Sequence, residues 1–160
     1  VRSRRQRQMC IRDRVNHLIG IVPSNKGTSI LGMEKFLNKS GRPANTIVGT
    51  GAKFLNMESV PQQLQGSTFL KELNAGGMTA PGVKYTVVAT RFDNRVFPWT
   101  NALIPEPGAK NIVIQDVCPL DHSAHTNITY DPMTYQVVAN ALEPQQATPV
   151  KCTIRPFSSM

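Results

Sequence analysis

Three short runs of apolar and β-branched residues constrain this chain more than any other feature. Leu18-Ile19-Gly20-Ile21-Val22 is stopped by Pro-Ser-Asn; "VKYTVVAT" (Val83–Thr90) follows "APG"; "KNIVIQDV" (Lys110–Val117) follows "PGA". Runs of this kind, bounded by turn residues and without strict alternation, suit strands buried on both faces, as in a parallel sheet. Antiparallel strands with one wet face would alternate instead.

The intervening sequence has a different period. "SILGMEKFLNKS" and "VPQQLQGSTFLKELNAGG" space apolar residues by three and four, as at Met33/Phe36/Leu37 and Phe69/Leu70/Leu73. They predict short amphipathic helices, the second closed by Gly76-Gly77. "YDPMTYQVVANALEP" predicts a longer helix with Asp131 at the N-cap, Pro132 in the first turn and Pro144 beyond the end. Tyr135, Val138 and Leu142, with Ala139 beside them, are the expected inward face. Strands separated by helical segments give an α/β domain with a mostly parallel sheet.

Parallel α/β sheets place functional groups beyond the C-terminal ends of their strands. Three loops qualify: "PSNKGTS", "RFDNRVFPWT" and "CPLDHSAHTN". The second offers Asp93; the third offers Asp121, His122 and His125. An acid after one strand and a histidine after the next is the latter part of the nucleophile–acid–histidine order of α/β-hydrolases. The plainer alternatives are an Asx-turn at Asp93 and an exposed loop imidazole at His125. A metal site from Cys118, Asp121, His122 and His125 lacks a second ligand pair at structural-zinc spacing, so no metal is expected. No G-x-S-x-G nucleophile elbow occurs: Ser29 in "GTSIL" lacks the second glycine, and Ser24 follows a proline.

Charge is concentrated at one end. Six arginines and Asp13 within "VRSRRQRQMCIRDR" contribute +5 of the net charge of +8. A nucleic-acid footprint would instead be built into a folded surface. No run of 18 apolar residues occurs, and the opening stretch lacks the apolar core of a secretory signal. Outside it, Cys118 and Cys152 form either a disulfide or two reduced, buried thiols.

Together, "VNHLIGIVPSNKGTS", "PGVKYTVVATRFDNRVFPWTNAL" and "NIVIQDVCPLDHSAHTNITYDPMTYQVVANALEP" resemble the C-terminal half of secreted bacterial triacylglycerol lipases of lipase class 2, best represented in actinobacteria. The resemblance spans nearly all of Val15–Pro144. It implies the C-terminal part of an α/β-hydrolase fold over residues 15–160, with the N-terminal half missing and a helical cap near residues 29–77. It makes Asp93 the catalytic acid, His125 the catalytic histidine and His122 a bystander, and it pairs Cys118 with Cys152. In the cap, Phe36, Leu37, Phe54, Leu55 and Phe69 are candidates to face lipid, with core packing the alternative at each.

The nucleophile and oxyanion loop would lie upstream, so the chain alone is expected to be inactive and, with an open sheet edge, poorly soluble. Acylglycerols or other esters are the implied substrates, with no cofactor, no nucleic-acid partner, no transmembrane segment and an extracellular location. Residues 1–14 resemble translated sequencing-adapter read-through, a non-native basic stretch. The competing readings are a small basic protein that grips nucleic acid or an acidic surface through its arginine arm, and a non-catalytic hydrolase relative that binds a partner.

Overall fold

The computed structural model describes residues 15–29 and 62–154. The basic stretch and the cap positions Met33, Phe36, Leu37, Phe54 and Leu55 lie outside the described residues. Three strands, β1 (His17–Ile21), β2 (Lys84–Ala89) and β3 (Ala109–Val113), form a parallel sheet in the order β1-β2-β3. Leu18 pairs with Tyr85 and Ile21 with Val88; Tyr85 in turn pairs with Ala109 and Val88 with Ile112.

The central strand explains why its sequence does not alternate. Val88 faces a cluster of Val22, Ile114, Cys118, Ile128, Met133 and Val137. Its neighbours Tyr85 and Val87 face the opposite cluster, with Met78 and Ile104. Successive side chains point to opposite faces of a strand, so a strand covered on both faces needs apolar residues at both parities. Residues Tyr85 to Ala89 are all buried, whereas every residue of β1 is half-buried. Among the described residues, β1 pairs only with β2.

β3 is shorter than the sequence predicts. The ladder ends at Ala89 with Val113, and Ile114–Val117 turn into a one-turn helix, α2, closed by the Cys118 N–H on the Ile114 carbonyl at 2.8 Å. With β2 already ended, residues 114–117 have no strand to pair with among the described residues, and an α-turn forms there instead.

Helix α1 (Thr68–Asn74) lies within the expected helical stretch. The Ser67 side chain accepts the Leu70 N–H at its start, and Leu70 is its buried residue. Gly27 makes α1's close approach possible. Its φ is +78°, and a Cβ there would lie 2.5 Å from Leu70 Cδ1 and 2.6 Å from the Gln63 carbonyl oxygen. Val22 also has positive φ, at +42°, an unusual conformation for a β-branched residue. It is held there by burial in the core and by its N–H on the Val88 carbonyl at 2.8 Å.

Helix α3 (Pro132–Leu142) begins where Asp131 and Pro132 place it, with the Asp131 carboxylate accepting the Met133 N–H at 3.0 Å. The helix contacts β1 and β2. Its inward face differs from the expected one: Met133, Thr134 and Val137 are buried, while Tyr135 and Leu142 are 58% and 62% exposed. Two apolar stripes share this helix, and the Met133/Val137 pair, four residues apart, is the one that meets Val88 and Val22. Truncating Met133 to alanine is expected to cost ~2–5 kcal/mol in denaturant unfolding. Leu142→Ala is expected to change stability by less than ~0.5 kcal/mol. Equal costs would mean that the helix packs through the other stripe.

Candidate active site

The three loops that leave the C-terminal ends of the strands are stitched together. The Asn25 side-chain amide donates to the Ala102 carbonyl at 2.7 Å, and Asn101 donates to the Gly27 carbonyl at 2.9 Å. The Phe97 N–H donates to Thr28 Oγ1 at 3.0 Å, while the Ser29 N–H reaches the Phe97 carbonyl at 2.7 Å. These bonds fix the segment that carries Asp93 against the loop after β1. Asn25, Thr28 and Asn101 are all buried. Their roles had no sequence signal beyond the general turn preference of Asn and Thr.

Asp93 and His125 come together. The His125 Nδ1 lies 3.0 Å from both carboxylate oxygens of Asp93. The Asp93 side chain is 1% exposed and that of His125 is 26% exposed. Asp93 Oδ1 also accepts the backbone N–H groups of Arg95 and Val96, each at 2.8 Å. Asp93 thus makes the turn contacts of an Asx residue and a hydrogen bond to the imidazole at the same time. The turn contacts anchor the carboxylate, and its remaining acceptor capacity meets the imidazole. A carboxylate that accepts at Nδ1 selects the tautomer protonated there, leaving Nε2 as the free basic nitrogen of the neutral ring.

The other polar residues of the histidine loop have separate duties. His122 rests its ring on Phe92, with centroids 4.8 Å apart and planes inclined by 46°. Asp121 is fully buried, and its carboxylate accepts the Ser123 N–H at 2.7 Å. Cys118 and Cys152 form a disulfide with Cα atoms 5.0 Å apart. The donors of the considered metal site are thus directed to different partners. Among the described residues, no three His, Cys, Asp or Glu side chains converge as metal ligands.

Residues that sequence reasoning did not single out lie in or between the same loops. Arg91, beside the site, pairs with Asp116 at 2.5 Å and lies over the Trp99 ring at 5.6 Å. Thr90 and Gln115 are buried between the two loops. A glutamine in an apolar strand-like run is the only signal that could have marked the latter. Phe69, the one lipid-facing candidate among the described residues, is half-buried in α1.

No known family matches this chain, and neither does any curated protein. Among solved structures it is similar to Aspergillus fumigatus lipase B. That likeness has a TM-score of 0.64 and 21% identity, covering 89% of this chain and 33% of the lipase. The fold is therefore that of part of an α/β-hydrolase domain, and the chain spans about a third of the length of the lipase it matches.

The disulfide ties the start of the histidine loop to the C-terminal segment across 34 residues. On the chain-entropy view, removing it by Cys152→Ser is expected to lower stability by about 3–4 kcal/mol. Denaturant unfolding of the oxidised parent and the variant checks this.

Proposed function

We propose that this chain is the acid- and histidine-bearing part of a serine carboxylic-ester hydrolase, a lipase or esterase whose nucleophile precedes Val15. The observation that carries the reading is the pairing of Asp93 with His125 Nδ1 at 3.0 Å, from loops after adjacent parallel strands. Its support is twofold: the strand order, and the fold shared with a lipase over a third of that enzyme. The half-buried outer strand β1 is also where an upstream strand would pair.

In this mechanism His125 Nε2 takes the proton from a serine hydroxyl as the serine attacks the ester carbonyl. The tetrahedral intermediate collapses to an acyl-enzyme, and the same imidazole gives its proton to the departing alcohol. Water then attacks the acyl-enzyme as His125 accepts its proton, and the imidazolium returns that proton to the serine oxygen as the acid is released. Asp93 holds the ring in the required tautomer and stabilises the imidazolium that forms at each step. The disulfide fits an extracellular enzyme. Neither metal nor cofactor takes part, and acylglycerols or smaller esters are the substrates.

The test is hydrolysis of a chromogenic ester and of a triacylglycerol emulsion by the complete gene product. Asp93→Asn is expected to lower kcat by about 10⁴-fold, because the amide favours the wrong imidazole tautomer. Replacing His125 with alanine is expected to cost on the order of a million-fold. The 160-residue chain alone should show no turnover above background. Full activity in either variant, or in the isolated chain, overturns the assignment.

A further inference from the structure

Between the acid loop and the histidine loop lies a buried polar cluster that the mechanism above does not use. The Gln115 side-chain amide is its centre. Its Nε2 donates to Thr90 Oγ1 and to the Asp121 carbonyl, each at 3.0 Å, and its Oε1 accepts the Arg91 N–H at 2.8 Å. Thr90 completes the link: its hydroxyl donates to the Ser123 carbonyl at 2.6 Å and accepts the Phe92 N–H at 3.2 Å. Thr90, Gln115, Asp121 and Ser123 are all buried.

We infer that Gln115 and Thr90 are positioning residues that set the Asp93–His125 hydrogen bond. Asp93 lies three residues beyond Thr90, and His125 lies two beyond Ser123. Four of these bonds, directly or through Gln115, join Thr90 and Arg91 of one loop to residues 121 and 123 of the other, and the fifth, from the Phe92 N–H to Thr90 Oγ1, lies within the first. Both amide protons and the oxygen of Gln115 are engaged, so the side chain has one orientation and acts as a rigid spacer. A network satisfied in this way, inside a low-dielectric interior, resists the small displacements that lengthen a neighbouring hydrogen bond. Small misplacements in a catalytic constellation are costly, since a shift of about 1 Å can lower turnover by about 100-fold.

The inference rests on the hydrolase reading for its activity arm, while a second arm reads the hydrogen bond directly. The experiment uses the complete gene product and the variants Gln115→Met and Thr90→Val, which keep approximate shape, with Thr90→Ser as the conservative replacement. Steady-state ester hydrolysis separates kcat from KM, and proton NMR follows the low-field Nδ1–H signal of His125, assigned by its loss in His125→Ala.

Gln115→Met and Thr90→Val are each expected to lower kcat by about tenfold with KM little changed, the scale of one net hydrogen bond. Each should also accelerate solvent exchange of the Nδ1 proton by a similar factor. Thr90→Ser should restore both readouts, and the double variant should fall short of the product of the single effects. Folded variants with unchanged kcat and unchanged Nδ1–H exchange overturn the inference. If Gln115→Met does not fold, Thr90→Val decides. If neither folds, the cluster is a stability element and the positioning role is overturned. A parent without esterase activity defeats the hydrolase reading, and the Nδ1–H arm then decides the inference by itself.

Discussion

The parallel pairing of β2 with both neighbours is the constraint on which the rest of the structure depends. Because β1, β2 and β3 run the same way, their C-terminal ends lie side by side, and the loops leaving them meet. A short sheet of three strands can then bring together residues 32 positions apart in sequence, as it does with Asp93 and His125. The same pairing demands cover on both faces, and the two apolar clusters supply it. The α3 helix over one face is anchored at its first turn by the Asp131 cap and Pro132, so the pattern that covers the sheet also sets the far end of the histidine loop.

The Asp93 carboxylate shows how the loop geometry becomes a functional geometry. A buried carboxylate needs its lone pairs satisfied, and a turn that aims two backbone N–H groups at one oxygen does this without a counter-charge. The side chain is then immobile before any imidazole reaches it. The histidine it meets remains partly exposed.

What was legible in the sequence follows from which interactions are local. The β-branched runs and the Asp131-Pro132 start are local statements, and the strands and the helix begin where the residues say. That Asp93 and His125 would lie in neighbouring loops was legible because they follow successive parallel strands. The end of β3 was not legible, because it depends on where β2 stops and not on the apolar character of Ile114. The wrong stripe of α3 has a similar cause. Tyr135 and Leu142 are as apolar by count as Met133 and Val137, and only the position of the sheet distinguishes the two sets. Gln115 carried no motif at all, since its importance lies in bonds to residues 24, 25 and 6 positions away.

This division has a physical reason. Chemistry at a site is carried by few residue types, so identity and order along the chain already exclude most alternatives. Support for that chemistry can be supplied by any side chain of suitable reach and hydrogen-bonding capacity. Thr90 and Gln115 support the loops through a hydroxyl and an amide, groups that occur throughout any protein. Their context makes them specific: both are enclosed, and apart from the bond between them their partners are backbone groups of the two loops. The meeting of Asp93 with His125 can therefore be anticipated from order and residue type, whereas the bonds of Thr90 and Gln115 between the same loops become visible only once the strands are aligned.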